Sequence, residues 1–67
     1  MRDANRLYSF YNEMQSLHTQ MPDIRFGQLM ESFRIWLQTH KQVRDMFYLE
    51  ENDFIGLLRE YVMTTAR

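Results

Sequence analysis

Apolar residues recur every three or four positions in three stretches of the chain, the spacing that places them on one face of an α-helix. We predict the first helix over 4–20. Asp3 or Asn5 would cap it, and Pro22 would end it, because the residue before a proline avoids the α conformation. Its apolar stripe comprises Leu7, Phe10, Tyr11, Met14, Leu17 and Met21.

A second helix is predicted over 23–40. Asp23 directly follows Pro22 and belongs to the residue types that cap helix N-termini. Ile35 falls on the polar side of this helix, between Glu31 and Gln38. The apolar stripe comprises Phe26, Leu29, Met30, Phe33, Trp36 and Leu37.

The third helix is predicted over 51–65, where acidic residues at its start favour the positive end of the helix dipole. The preceding run 45–49 is too short for a helix, and we expect an extended segment or a single turn that places Phe47 or Leu49 in the core. Gly56 costs about 1 kcal/mol relative to alanine inside a helix. It is either tolerated or approached closely by a neighbouring group. The stripe comprises Phe54, Leu57, Leu58, Tyr61 and Val62.

Three short amphipathic helices bury their apolar faces against one another most simply as a three-helix bundle. We therefore predict a single all-α domain over 1–67. Its apolar residues exceed what three helices of this length can cover, and exposed apolar patches mark interfaces. We expect an oligomer whose interface includes Ile35, Tyr48, Ile55 and Met63.

Composition limits the classes of function. The 67 residues are 45% hydrophobic, include five Phe, four Tyr and one Trp, and carry a net charge of −1. This charge gives no bias toward nucleic acid or anionic lipid. The chain has no cysteine and hence no disulfide or thiolate metal site. No apolar run reaches the length of about 20 residues that spans a bilayer, and no signal peptide is evident, so we expect a cytoplasmic protein without membrane contact.

Motifs for catalysis are missing from the sequence. It has no nucleophile in a G-x-S-x-G turn and no glycine-rich phosphate loop. His18 and His40 fall at helix C-termini, where the dipole favours an imidazolium. The acidic run 50–53 lacks the ligand spacing of a calcium loop. We expect no enzyme activity, no cofactor and no metal.

The start of the second helix is the one candidate ligand site. Its free backbone N–H groups, Arg25, Gly27 and Gln28 could receive a phosphate or carboxylate, and Tyr8 or Tyr11 could stack on a base. A simpler alternative is structural. Arg25 would pair with a carboxylate of 50–53, and Gly27 would let two backbones approach.

The segment Pro22-Asp23-Ile24-Arg25-Phe26-Gly27-Gln28-Leu29-Met30, followed by Phe47-Tyr48-Leu49-Glu50, resembles a pattern of small phage and prophage proteins. In that group a proline-aspartate-x-arginine-aromatic-glycine-glutamine-leucine helix start precedes an aromatic-tyrosine-aliphatic-acidic run. The resemblance covers about residues 5–62. It implies a short accessory protein of a bacterial host cell that acts by binding.

Our leading functional hypothesis is a non-enzymatic helical binding module that self-associates and inhibits or sequesters a host macromolecule, such as a defence protein. An alternative is sequestration of a nucleotide or cyclic nucleotide at a subunit interface by Arg25, Gln28 and a tyrosine. A third is a minor DNA-binding regulator, which the scattered basic residues disfavour.

Overall fold

The fold was obtained as a computed structural model that describes residues 4–65, apart from the side chain of Phe47. Three α-helices and two short helical turns account for its regular structure, and residues 4–65 contain no strand. The predicted all-α class with three helices is confirmed. In chain order, the elements are α1 (Asn5–His18), α2 (Phe26–Trp36), a π-helical turn (Leu37–Lys41), a 3₁₀ turn (Met46–Tyr48) and α3 (Glu51–Thr65).

Helix α1 ends at His18, two residues before the predicted end and four before Pro22. After it the chain turns through consecutive short hydrogen bonds, in which Met21 donates to the carbonyl of His18 at 2.9 Å and Ile24 to that of Met21 at 3.2 Å. The N-cap is Ala4, which makes no side-chain capping bond. The alternative cap Asp3 lies outside the described residues.

Helix α2 begins at Phe26, so the prediction that Asp23 caps it was wrong. Arg25 is the N-cap residue, with an extended backbone at ψ 152°, and its N–H donates to Gln28 Oε1 at 3.1 Å. This bond from N-cap to N3 satisfies a backbone donor in the way a capping box does.

The C-terminal end of the second helix differs from a plain α-helix. The chain widens into the π-helical turn, and Gln42 ends it in the left-handed conformation with φ 57°. The Gln42 N–H donates to the carbonyl of Leu37, five residues earlier. The predicted span 23–40 is therefore an α-helix only over its central part.

Helix α3 spans the predicted residues, with Glu51 and Asp53 in its first turn. The preceding apolar run forms the expected single turn, and Leu49 packs partly buried against the core. The corresponding expectation for Phe47 falls on a side chain that is not described.

Helices α1 and α3 run side by side in the same direction. Arg6 Nε donates to Glu51 Oε1 near the start of both helices. Further along, Arg59 Nη2 donates to Glu13 Oε2 at 2.7 Å. The paired residues follow the same order in both helices, seven residues apart in α1 and eight apart in α3. The two helices are therefore parallel.

The core lies between α1, α2, the π-helical turn and α3. The Phe33 ring, fully buried, is 5.2 Å from the Phe54 ring and 5.7 Å from the Tyr61 ring, measured between centroids. Among the described residues, no buried side-chain polar atom lacks a hydrogen-bond partner. The buried residues are Leu17, Leu29, Phe33, Leu37, Ile55, Leu58, Tyr61 and Val62.

One of the four residues predicted at an interface is buried. Ile55, predicted at an interface, is only 7% exposed, because it shares the inward face of α3 with Leu58 and Val62. The prediction for Ile55 was wrong. Ile35, Tyr48 and Met63 are exposed as expected.

Candidate functional site: an apolar groove

An apolar groove opens between three helices and the 3₁₀ turn, with a cavity volume of about 370 Å³. We call it the Met–aromatic groove. α1 contributes three of its side chains, α2 two, and the 3₁₀ turn and α3 one each. The lining residues are Phe10, Tyr11, Met14, Phe26, Met30, Met46 and Phe54.

Aromatic contacts fix the floor of the groove to the core. The Phe10 ring lies 5.7 Å from the Phe54 ring, and Phe54 in turn meets the buried ring of Phe33 edge-on. The Tyr11 and Phe10 rings make a T-shaped contact, with 5.0 Å between their centroids. Such aromatic pairs prefer defined geometries. These ring contacts connect the groove with the core.

Two aromatic rings stand out from the edges of the groove. Tyr11 is 62% exposed and Phe26 is 54% exposed, although both belong to the predicted apolar stripes. Such exposure of large aromatic side chains that line one groove is a typical feature of binding surfaces.

His18 holds the chain next to Phe26. Its Nε2 atom lies 2.7 Å from the carbonyl oxygen of Ile24, and its ring centroid lies 6.3 Å from that of Phe26. His18 is the last residue of α1. Its ring therefore ties the end of α1 to the turn from which Phe26 projects.

The lining of the groove is apolar apart from the phenol of Tyr11. None of the seven lining residues is Asp, Glu, Lys, Arg or His. Three are methionines, whose unbranched and polarizable side chains adapt to irregular apolar partners and make favourable contacts with aromatic rings. The groove therefore presents a surface suited to an apolar partner.

Three exposed charged residues are close in sequence to groove residues. Arg25 directly precedes Phe26, Arg44 lies two residues before Met46, and Asp53 directly precedes Phe54. None of the three forms an ion pair with another residue of 4–65.

The predicted ligand residues do not come together in one pocket. Tyr11 lines the Met–aromatic groove, whereas Gly27 and Gln28 belong to a separate open surface on α2. Tyr8 lies ten residues before His18, or about 15 Å along α1 from the turn that carries Arg25.

The structural explanation for Arg25 and Gly27 was also wrong. Within 4–65, Arg25 makes no ion pair with the acidic run 50–53, where Arg6 contacts Glu51 instead. A Cβ built on Gly27 or Gly56 would meet no atom within 4 Å. Close approach of a neighbouring group therefore explains neither glycine.

One ion pair on α2 shifts the pKa of its partners. Arg34 Nη2 donates to Glu31 Oε1 at 2.6 Å, and this hydrogen bond, followed by the charge attraction, lowers the pKa of Glu31 and raises that of Arg34. Both side chains are exposed, so this is a local effect on the outer surface of α2.

The apolar periodicity of the sequence predicted most of the groove residues in the core. Periodicity gave no signal for Phe26, because it precedes the buried Phe33 by seven residues and both therefore lie on one face of α2. Nothing in the sequence showed which members of each stripe the bundle would leave outside.

Comparison with protein-family models, with curated proteins and with solved structures finds no match for this chain. Among residues 4–65, no helix is both long and apolar enough to cross a membrane. The same residues hold no group of three His, Asp or Glu side chains arranged to bind a metal ion. The geometry of the groove therefore carries the functional argument.

Proposed function

We propose that this chain is a non-catalytic binding module whose Met–aromatic groove takes the apolar face of a helix in another polypeptide. The observation that carries the proposal is the uncharged lining of the groove, with three methionines and four aromatic residues. Helices dock into such grooves through apolar residues spaced three or four apart.

In the phage setting that the sequence resemblance implies, the bound polypeptide would be a host protein, such as a defence component. Binding would inhibit or sequester that protein. A nucleotide ligand has less support, because Arg25 does not line the groove that contains Tyr11, and Gly27 and Gln28 lie on a separate surface.

The test is a selection of helical peptides of about 15 residues, displayed as a random library, against the full chain. We expect enriched peptides with apolar residues at helical spacing. Their binding should shift the NMR signals of the Met14, Met30 and Met46 methyl groups. Met63, which is exposed on α3 away from the groove, is the internal control.

Two variants on α2 sharpen this test. Phe26→Ser removes an exposed groove ring and should weaken peptide binding at least tenfold. Ile35→Ser changes a side chain of similar exposure, 50% against 54%, and should leave binding unchanged. If no peptide is enriched, or if enriched peptides shift Met63 and not the groove methyl groups, the proposal is wrong.

A further inference from the structure

The first turn of α2 carries Phe26 to the edge of the Met–aromatic groove, and the core does not hold this turn. Residues 25–28 are all exposed, and Leu29 is the first residue of the helix that is buried. Helix ends that make few buried contacts open more readily than helix interiors. The orientation of Phe26 therefore depends on contacts made outside the core.

Two hydrogen bonds secure the entry to this turn. Within the turn, the Arg25 N–H donates to Gln28 Oε1 at 3.1 Å. From the end of α1, His18 Nε2 lies 2.7 Å from the carbonyl oxygen of Ile24, two residues before Phe26. Because a carbonyl oxygen only accepts, His18 Nε2 carries the proton and donates it. No backbone N–H of residues 4–65 donates to this oxygen, so the imidazole supplies its hydrogen bond.

His18 also contacts Phe26 but does not line the groove. The two ring centroids are 6.3 Å apart, with the rings tilted by 53°. The opening that His18 lines is a separate one, shared with Gln15, Thr19 and Pro22. The contacts of His18 therefore reach the groove through the first turn of α2 and the ring of Phe26.

We infer that His18 is a positioning residue for the Met–aromatic groove. Its hydrogen bond to Ile24 holds the first turn of α2, and with it the ring of Phe26, in the orientation that receives a partner helix. This inference rests on the proposed function. Ordering a binding residue in advance strengthens association, because less conformational freedom is then lost on binding.

Two amide substitutions separate the hydrogen bond from the rest of the imidazole. The amide nitrogen of glutamine is as many bonds from Cα as Nε2 of histidine, whereas that of asparagine corresponds to Nδ1 and falls short of the carbonyl. His18→Gln should keep the bond to Ile24, and His18→Asn should lose it. His40→Asn is the matched control, because it makes the same change at an exposed residue that does not line the groove.

The first measurement needs no partner. Backbone order parameters from ¹⁵N relaxation of the full chain report the motion of each amide. In His18→Asn, those of residues 26–28 should fall from the roughly 0.85 of a rigid backbone toward the roughly 0.6 of a flexible one. Those of residues 31–36, which follow the first buried residue of α2, should stay unchanged. His18→Gln and His40→Asn should leave both groups at their original values.

The second measurement asks whether His18 acts through Phe26. With a helical peptide enriched in the selection described above, His18→Asn should weaken binding about fivefold, the effect of roughly one hydrogen bond, and His18→Gln should stay within about twofold of the original affinity. In a Phe26→Ser background, His18→Asn should cause no further loss, because the ring that it positions is gone. A general loss of structure would instead weaken binding in both backgrounds.

Three results would overturn the inference. These are unchanged order parameters in His18→Asn, equal losses of affinity in His18→Asn and His18→Gln, and a further loss when His18→Asn is added to Phe26→Ser. If peptides bind His18→Asn as tightly as the original chain, only the positioning role fails. If no peptide binds any variant, the proposed function fails, and the order parameters alone decide whether His18 holds the first turn of α2.

Discussion

The clearest destabilising feature of a single residue in this chain is a glycine inside a helix. Gly56 lies in the interior of α3, exposed, with open space where a Cβ would project. We predict that Gly56→Ala stabilises the protein by about 1 kcal/mol, because alanine restricts the unfolded chain and favours the helix. Urea unfolding measures the change. Unaltered or reduced stability would show that Gly56 has a role the helix does not explain.

The Glu31–Arg34 pair gives a second residue-scale prediction. Arg34→Gln removes the hydrogen bond and the positive charge that lower the pKa of Glu31, so this pKa should rise toward its ordinary value. A carboxyl-detected NMR titration measures it. The contribution of the pair to stability is present above the ordinary pKa and is lost as the pH falls through the lowered one. An unchanged pKa would contradict the contact.

Two isoleucines show which feature of burial the sequence pattern does not predict. Ile35 and Ile55 both stood outside the predicted stripes, yet one is half exposed and the other is buried. The predicted apolar stripe of α3 includes Leu57 and omits Ile55. In the structure, the face of α3 that carries Ile55 packs against the core. Periodicity identifies that a helix has an apolar face, but the rotation of a wide face about the helix axis depends on the neighbouring helices.

At the scale of elements, the ion pair between Glu13 and Arg59 marks the parallel register of α1 and α3. Each side chain is 46% exposed, so solvent screens their attraction. A double-mutant cycle with Glu13→Ala and Arg59→Ala should give a coupling energy between about 0.2 and 1 kcal/mol. A coupling energy of zero would show that this ion pair does not contribute to the register.

Element boundaries were predicted best where charge and periodicity agree. The limits of α3 follow from acidic residues at its start and a regular stripe. Those of α2 do not, because Gln28 accepts the N–H of Arg25 and so starts the helix after Asp23. After Trp36 the backbone changes from α-helical to π-helical hydrogen bonding. No residue type in 37–41 predicts that change.

At the scale of the whole molecule, the protein has a small core and an apolar surface next to it. The eight buried residues form one cluster, and the groove residues Phe10, Met14, Met30, Met46 and Phe54 pack against it without being enclosed. Excess apolar surface was predictable from composition. Its concentration in one groove was not, because that depends on how α1, α2 and α3 meet.

If the groove is a binding surface, as proposed, the core should be complete without the groove residue Phe26. The most direct measurement compares the free energies of unfolding of Phe26→Ala and Phe33→Ala in dilute monomer. Phe33 is fully buried, and its truncation should cost about 3–5 kcal/mol or leave the chain unfolded. Phe26 is half exposed, and its truncation should cost about 1 kcal/mol. Equal losses of unfolding free energy would mean that Phe26 belongs to the core, which would contradict the proposal that it lines a binding surface.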